Sequence, residues 1–418
     1  MTIFQKTEEI CRAAKNASHE FSVQNTKKKN QILLEISRQL KDRCEDIINA
    51  NKKDLSNARD SGISDAMLDR LMLDCKRIEG IRDSLLSLVK LSDPIGTGEL
   101  LSTENGLEIS CERVPIGVIA LIYESRPNVT VDAAALCIKT GNAVILRGGR
   151  EALNTNLCLI SIMKNAISKC GINSDILGFI EPGTNHESAE ALMSMRGLVD
   201  LLIPRGSKRL IDSVVKNSKV PTIETGAGNC HLYVDSSADL DMAVSVAINA
   251  KCSRPAVCNA IETLLVHSDV AEKFLPMFCE KTAEKYSLEI RGCERTQKIL
   301  TNILPATDED YATEFDDYIL AIKIVDSTDE AIEHINRYNT GHSEAIITNS
   351  AHDAMKFRKY VDAAAVYVNA STRFTDGGEF GFGAEMGIST QKLHARGPMG
   401  LMALTTQKYL ITGEGQIR

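Results

Sequence analysis

Short apolar runs that alternate with helical stretches dominate the chain from Val114 onward. The first apolar runs cover residues 117–123, 143–146, 176–180, 199–203, 220–223 and 231–234. Helical stretches lie between them, at residues 131–139, 154–168, 187–195 and 208–215. Continuous apolar strands that alternate with helices are typical of a buried parallel sheet with helices on both faces. The sequence therefore predicts an α/β fold.

The same alternation appears a second time further along the chain. Apolar runs recur at residues 261–267, 318–325, 344–348 and 364–369. A chain of 418 residues is long for a single domain, since the prior is about 150 residues per domain. We therefore expect two parallel-sheet domains in tandem.

The regions outside these sheets have patterns of their own. Apolar residues recur every three or four positions between Ile32 and Ile47, which predicts helices over the first ~90 residues. Ser64 fits the N-cap of a further helix. Residues 94–112 carry glycines and weak alternation, which indicates a hairpin arm, and residues 401–411 could form one more strand.

Charge and cysteine usage exclude several classes of protein. Lys and Arg number 48 against 56 Asp and Glu, a net charge of −8, which argues against a nucleic-acid binder or a polybasic membrane anchor. No stretch approaches the ~20 apolar residues of a membrane span, and the N-terminus lacks an apolar signal segment. The twelve cysteines are scattered without a Cys-x-x-Cys pair. We expect no metal site, and reduced thiols in a cytoplasmic protein.

Two glycine-containing turns follow predicted strands and could hold a phosphate. Gly206 and Ser207 stand between a strand and a helix, where exposed amides suit an anion; a plain N-cap by Ser207 is the alternative. Arg147 and Arg150 flank two glycines after another strand, and could bind phosphate through bidentate contacts or form an ordinary basic turn. The Walker A and dinucleotide fingerprint sequences are both missing.

A carboxylate and a thiol are the candidates for chemistry. Glu224 begins a run of small residues, 224–229, along which a substrate or cofactor could lie; its carboxylate could act as a base or be an ordinary loop acid. Cys258 follows Lys251 and Arg254, whose positive charge would lower the thiol pKa. Position alone does not separate Cys258 from the other eleven cysteines, which we expect to pack as small apolar residues.

Taken in order, these motifs resemble the aldehyde dehydrogenase superfamily along nearly the whole chain. The segments that carry this resemblance are residues 114–119, 140–146, 206–207, 224–228 and Cys258. The segments similar to its γ-glutamyl phosphate reductase branch are Tyr123-Glu124-Ser125-Arg126-Pro127-Asn128, Arg147-Gly148-Gly149, and residues 258–264 and 368–398. The resemblance implies an aldehyde dehydrogenase-like α/β fold, with two Rossmann-like parallel-sheet domains and an oligomerisation arm.

The reaction that the resemblance implies is NADPH-dependent reduction of γ-glutamyl phosphate to glutamate 5-semialdehyde, the second step of proline biosynthesis. Cys258 matches the nucleophile that expels phosphate and forms a thioester. The oxyanion would be held by backbone amides at Cys258 and by a donor from the turn that contains Ser125 and Asn128. Glu224 matches the residue that activates water in hydrolytic relatives, and its role here is left open.

The resemblance also implies which residues bind the cofactor. They are Arg147, Arg150, Gly206, Ser207, Glu224, Gly226 and Glu314. Gly206 and Ser207 match positions at the pyrophosphate, and Glu314 matches the acid on the nicotinamide ribose. Arg150 stands where relatives that prefer NAD often carry a glutamate, so NADP is expected.

The resemblance also implies substrate contacts, a division into domains and partners. The anionic groups of the substrate would meet Arg254, Ser371, Arg373 and Arg126, the last with a structural role at its turn as the alternative. Residues 1–93 and 113–225 would bind NADP, residues 226–390 would carry catalysis, and residues 94–112 and 391–418 would mediate assembly into a dimer or tetramer. A separate glutamate 5-kinase would supply the substrate, because no kinase region is expected in this chain.

Two alternative functions remain. A hydrolytic semialdehyde dehydrogenase would also carry Glu224, and a non-catalytic dinucleotide-binding protein could share the fold.

Overall fold

The computed structural model describes residues 1–63, 65–101, 105–183 and 185–418, which divide into two units. The first unit comprises Met1–Thr225, Gly381–Gly387 and Met399–Arg418, and the second comprises Gly226–Phe380 and Ile388–Pro398. The predicted N-cap at Ser64 and residues 102–104 of the expected arm lie outside the described residues. Within the described residues, no helix combines the length and apolar character that a membrane crossing requires.

Helices fill the N-terminal part of the chain, and strands alternate with helices after it. The helices are α1 (Ile3–Phe21), α2 (Thr26–Asp42), α3 (Cys44–Asp60), α4 (Asp65–Leu71), α5 (Cys75–Lys90), α6 (Pro127–Lys139), α7 (Leu153–Lys169), α8 (Glu187–Met193), α9 (Lys208–Asn217), α10 (Leu240–Cys252), α11 (Ser268–Ala283), α12 (Glu294–Ile299), α13 (Asp308–Tyr311), α14 (Thr328–Tyr338) and α15 (Ala351–Tyr360). The strands are β1 (Gly98–Leu101), β2 (Glu108–Pro115), β3 (Val118–Tyr123), β4 (Ala143–Arg147), β5 (Leu177–Phe179), β6 (Leu201–Arg205), β7 (Cys230–Val234), β8 (Ile261–His267), β9 (Glu289–Gly292), β10 (Leu304–Pro305), β11 (Ile319–Val325), β12 (Ser343–Ile347), β13 (Ala365–Val368), β14 (Ile388–Ser389), β15 (Gly397–Pro398) and β16 (Thr405–Thr412). Short 3-10 turns lie at Arg150–Ala152, Ser174–Ile176, Thr372–Phe374 and Leu401–Leu404.

The helices α1 to α5 confirm the predicted helical N-terminal region. Helix α1 begins with a capping box, in which Thr2 and Gln5 satisfy each other's backbone amides. The periodic apolar run does not form one continuous helix, however. Its residues from Ile32 to Leu40 lie in α2 and Ile47 lies in α3, because the backbone leaves the helical region at Arg43, with φ −112° and ψ 25°.

The first unit contains a parallel sheet of four strands in the order β5-β4-β3-β6. Every residue of β3 is buried, as a central parallel strand requires. The predicted strand at residues 220–223 was wrong. Only Thr222 forms a bridge, to Leu202, and Pro221 contributes a carbonyl to Leu202 but has no amide with which to continue the ladder.

The second unit contains a larger parallel sheet, in the order β10-β9-β11-β8-β7-β12-β13. Leu264 packs on one face with Phe274 and Phe278 of α11, and Leu265 packs on the other face with Ile335 of α14. Both faces are therefore covered by helices, which confirms the predicted α/β class with two parallel sheets. The short strands β9 and β10 were not predicted.

A third, antiparallel sheet has the order β1-β2-β16. It confirms the predicted hairpin and the predicted C-terminal strand, although residues 401–404 form a 3-10 turn and the strand begins at Thr405. Strand β16 is exposed from Thr406 to Thr412. Ile411 is 60% exposed and Leu100, on β1, is 80% exposed.

Candidate active site

Cys258 lies in the second unit, on the segment between α10 and β8 (residues 253–260, here the Cys258 loop). Its side chain is partly exposed. The backbone carbonyl of Cys258 accepts a hydrogen bond from the Cys230 thiol at 3.2 Å. Gly228 lies directly against it, since a Cβ at Gly228 would be 1.7 Å from that carbonyl oxygen. The loop is thus fixed on the first residues of β7, and a glycine is required at the contact.

Glu314 is brought to the same place by a backbone contact. Its carboxylate accepts a hydrogen bond from the Gly228 amide at 2.8 Å. Glu314 follows α13 in a segment without regular secondary structure. One residue, Gly228, therefore contacts both the backbone of Cys258 and the carboxylate of Glu314.

A group of arginines lies next to Cys258. The guanidinium of Arg373 donates to the side-chain oxygen of Asn259 and to Ser253 at 3.2 Å. Burial lowers the pKa of Arg373, and the positive charge of Arg254 lowers it further, while Cys258 opposes the shift. Ser371 is 4% exposed, and its side chain accepts the Arg373 amide. The second unit thus gathers two cations beside the thiol.

The predicted turn from Ser125 to Asn128 lies in the first unit, between β3 and α6. Ser125 has a positive φ of 39°, and both its amide and its hydroxyl bond the carboxylate of Glu151 at 2.6 Å. Arg126 occupies the N-cap position of α6 without a side-chain cap. Asn128 donates its side-chain amide to Asp132 at 3.2 Å. The hydroxyl of Ser125 is therefore already engaged, whereas Asn128 is oriented by a carboxylate one turn along the helix.

Burial shifts the ionisation of the carboxyl that orients Asn128. It raises the pKa of Asp132 to about 6, and the hydrogen bond from Asn128 and the charge of Arg205 oppose the shift. Both Asp132 and Arg205 belong to the first unit.

Gly206 and Ser207 stand between β6 and α9, as predicted. Ser207 occupies the N-cap position, but its side chain makes no capping hydrogen bond to α9, so the plain N-cap is not what forms. The carboxylate of Glu124 instead accepts the Ser207 amide at 2.9 Å and the Ser207 hydroxyl at 3.3 Å. A Cβ at Gly206 would lie 2.5 Å from this carboxylate.

Arg147 is the last residue of β4, and Arg150 is the first residue of the 3-10 turn that follows. Arg147 is partly buried and donates to Ser188 at 3.2 Å. Burial lowers the pKa of Arg147, and the carboxylates of Glu151 and Glu124 oppose the shift. Arg150 is exposed. The sequence did not point to Glu124 or Glu151 as site residues, because their partners lie far along the chain.

Glu224 and Gly226 lie at the point where the chain passes from the first unit to the second. Glu224 is partly exposed. Next to it, the hydroxyl of Thr225 donates to the Pro204 carbonyl at 2.5 Å. In the second unit, a Cβ at Gly226 would lie 2.3 Å from the Thr390 hydroxyl, so the backbone there is closely covered.

The model of the aldehyde dehydrogenase family matches residues 5–291 and 312–409. The γ-glutamyl phosphate reductase of Clostridium perfringens strain SM101 is 55% identical, over 97% of both chains, and that of Dictyoglomus thermophilum is 55% identical, over 98% of this chain and 99% of its own. The crystal structure of γ-glutamyl phosphate reductase from Thermotoga maritima is 46% identical and superposes with a TM-score of 0.95 over 100% of both chains.

The chain belongs to the γ-glutamyl phosphate reductase branch of the aldehyde dehydrogenase family. It is therefore an oxidoreductase, and its cofactor is a nicotinamide nucleotide.

The start of α9 fits a nucleotide of this family. The amide of Ser207, the N-cap residue of α9, already holds a carboxylate, that of Glu124, so an anion is accepted there. Arg147 and Arg150 provide positive charge in the same unit, and in the second unit Glu314 offers a carboxylate that can accept hydrogen bonds from hydroxyl groups. In the part of the chain that the structure describes, no cluster of His, Cys, Asp and Glu side chains is arranged to hold a metal ion.

Proposed function

We propose that this enzyme catalyses the NADPH-dependent reduction of L-glutamyl 5-phosphate to L-glutamate 5-semialdehyde and phosphate, through a thioester on Cys258, as the second step of proline biosynthesis in the cytoplasm. The observation that carries the proposal is the Gly228 contact, which fixes the backbone of Cys258 and the carboxylate of Glu314 on one residue. The relatives that are 55% identical over nearly the whole chain support the substrate, since each is a γ-glutamyl phosphate reductase.

In this mechanism the Cys258 sulfur attacks the acyl carbon, the bond from that carbon to the phosphate oxygen breaks, and phosphate leaves. Backbone amides of the Cys258 loop and the side-chain amide of Asn128 hold the oxyanion. Asn128 suits this role better than Ser125, because the single proton of the Ser125 hydroxyl is donated to Glu151, whereas the Asn128 amide has a second N–H besides the one donated to Asp132. When bound, NADPH supplies the hydride for the thioester carbon. Cys258 then departs as a thiolate and releases the aldehyde.

The cations beside Cys258 are proposed to bind the anionic groups of the substrate. The positive charge of Arg254 lowers the pKa of Arg373, and Arg373 is held in place by Asn259 and Ser253. The Ser371 side chain accepts the Arg373 amide and so fixes the backbone of this turn. Arg126 remains a further candidate for binding the anionic groups of the substrate. Arg373→Ala should raise the KM for the semialdehyde about tenfold or more, since a charged partner is worth a few kcal/mol; a KM near that of the wild type would contradict the assignment.

We propose NADP as the cofactor, held by Arg147, Arg150, Gly206, Ser207, Glu224, Gly226 and Glu314. The exposed guanidinium of Arg150 can pair with a 2′-phosphate, which a carboxylate would repel. The test is the ratio of kcat/KM for NADP⁺ and NAD⁺ in Arg150→Glu, with Lys216→Glu in the last turn of α9, an exposed position away from Gly206 and Ser207, as a control for surface charge. The ratio should fall with the first variant and not the second; an equal response would refute the role of Arg150.

Phosphate dependence separates the proposed reaction from a hydrolytic one, which the presence of Glu224 would permit. The assay follows NADP⁺ reduction with glutamate 5-semialdehyde, with and without inorganic phosphate. We expect strict dependence on phosphate, because the thioester must be resolved by phosphate in this direction. Turnover without phosphate would support a hydrolytic dehydrogenase with Glu224 as the base.

We also propose which parts of the chain bind the cofactor, carry catalysis and mediate assembly. Residues 1–93 and 113–225 would bind NADP and residues 226–390 would carry catalysis. The exposed edge strand β16, with β1 and β2, would mediate assembly into a dimer or tetramer, since an exposed apolar edge pairs readily with another chain. A separate glutamate 5-kinase would supply the substrate.

A further inference from the structure

A buried ion pair closes the base of the Cys258 loop. Lys251, on the last turn of α10, bonds Glu262, the second residue of β8. Both residues are completely buried, at 0% exposure. The two elements that carry them are those that the Cys258 loop connects. The pair therefore joins the two ends of the segment that presents the nucleophile.

The same pair reaches the segment that carries Glu314. The second carboxylate oxygen of Glu262 accepts the Asp316 amide at 3.4 Å. Asp316 has a positive φ of 55°, a region of backbone conformation that aspartate adopts more readily than most residues other than glycine. The contact with Glu262 is one of the restraints that hold this backbone.

Phe315, between Glu314 and Asp316, is held by two cations. The ammonium of Lys251 lies 6.0 Å from the ring centroid, and the guanidinium of Arg291 lies 5.1 Å from it. Arg291 is itself paired with Asp310 at 2.6 Å. Each cation lies within the range in which the ring quadrupole attracts it. The segment with Glu314, Phe315 and Asp316 has no regular secondary structure. These two contacts and the one from Glu262 therefore hold it in place, as backbone hydrogen bonds would hold a helix or a strand.

An unbroken chain of contacts thus runs from Lys251 and Glu262, through residues 314–316, to Gly228 and the backbone of Cys258. We propose that Lys251 and Glu262 are positioning residues that set the carboxylate of Glu314 against the Cys258 loop. The proposal rests on the role proposed above for Glu314, in binding the nicotinamide ribose.

Stability alone gives little reason to keep these two charges. Replacing a buried ion pair with apolar side chains of similar size is often neutral or stabilising, whereas removing one partner strands a buried charge. Burial raises the pKa of Glu262, the ammonium of Lys251 opposes that shift, and the nearby charge of Glu314 adds to it. Burying this pair costs free energy and the pair lies beside the site. The geometry that it imposes on the site therefore explains its presence better than stability does.

The test is a variant that removes both charges together, Lys251→Met with Glu262→Met. Because no buried charge is left alone, this variant should melt within a few degrees of the wild type. The positioning role predicts that its KM for NADP⁺ rises about tenfold or more while its far-UV spectrum is unchanged, since small displacements at a site lower function steeply. Lys251→Met alone should be less stable and should show the same increase in KM.

A second buried ion pair supplies the matched control. Lys29 and Asp93 are 1% and 8% exposed and belong to the first unit, whereas Cys258 and Glu314 belong to the second. Lys29→Met with Asp93→Leu should leave the KM for NADP⁺ within about twofold of the wild type. Glu314→Gln is the reference for loss of the positioned carboxylate.

The outcomes separate the positioning role of Lys251 and Glu262 from the cofactor-binding role of Glu314. A raised KM in Glu314→Gln with an unchanged KM in the folded double-methionine variant would overturn the inference alone, and so would an equal rise in the Lys29 and Asp93 control. An unchanged KM in Glu314→Gln would overturn the role of Glu314 itself. A raised KM in both Glu314→Gln and the double-methionine variant, with the control unaffected, supports the inference.

Discussion

Replacing Gly228 with alanine tests the contact on which the Cys258 loop rests. The added Cβ would lie 1.7 Å from the carbonyl oxygen of Cys258, 2.3 Å from its carbonyl carbon and 2.4 Å from its Cα. These are backbone atoms, so no side-chain rotation relieves the overlap. Real Cβ contacts essentially never fall below 3.0 Å, and the backbones must therefore separate by about 1.3 Å.

A shift of that size has a calculable effect on rate. Displacing a reacting group by about 1 Å can lower the rate about 100-fold, which corresponds to roughly 2.7 kcal/mol of activation free energy. Overpacking should also reduce the free energy of unfolding by about 1–3 kcal/mol. We therefore expect Gly228→Ala to fold with reduced stability and to lose about two orders of magnitude in kcat.

The assay is NADP⁺ reduction with glutamate 5-semialdehyde and phosphate, together with urea unfolding followed by circular dichroism. Gly292→Ala is the control, because its Cβ would lie 2.5 Å from the Ile303 side chain and 2.8 Å from the Thr296 side chain. That variant should lose stability while its kcat stays within about twofold of the wild type. A folded Gly228→Ala protein with kcat within about threefold of the wild type would refute the reasoning, since the nucleophile would then not depend on this contact.

Three further predictions concern pH, the core and assembly. The folded chain binds a proton at Asp132 more tightly than the unfolded chain, because burial raises the pKa of this carboxyl to about 6. The free energy of unfolding should therefore fall by roughly 2 kcal/mol as the pH rises from about 4 to 6, relative to Asp132→Asn, and a constant difference between the two proteins would contradict this. Phe278 is completely buried and its ring centroid lies 6.0 Å from that of Phe274; Phe278→Ala should cost about 3–5 kcal/mol in urea unfolding, and a loss below about 1 kcal/mol would argue against the described core. Ile411→Lys on β16 should lower the molecular mass measured by analytical ultracentrifugation, whereas Met355→Lys on α15, at a site that is 69% exposed, should not; equal masses for both would exclude β16 from the assembly interface.

Apart from the hairpin β1–β2 and the strand β16, the strands that could be predicted from the sequence were mostly those whose side chains are buried on both faces. Continuous apolar runs such as those of β3 and β8 have no stable alternative to a covered parallel sheet. Residues 220–223 have similar composition, but Pro221 removes an amide and leaves a single bridge. Strands β9 and β10 are short and partly exposed, so hydrophobicity carries no signal for them.

The sequence names candidate residues for the site, but it does not give the contacts among them. Cys258 and Glu314 were singled out by resemblance, and neither residue type nor spacing shows that both meet Gly228. The engagement of Ser125 by Glu151 joins positions 26 residues apart. Such contacts depend on how separate elements pack, which local patterns do not encode.

Glu262 is the exception, because its place inside an apolar run is itself a sign of a long-range contact. It lies in a strand expected to be buried on both faces, and an acidic residue there must find a partner or lose its charge. The positively charged residue at the end of the preceding helix, Lys251, is the partner that the fold supplies. A charge inside an apolar run next to a candidate nucleophile therefore predicts an ion pair near the site, and here that pair connects the Cys258 loop to the segment that presents Glu314.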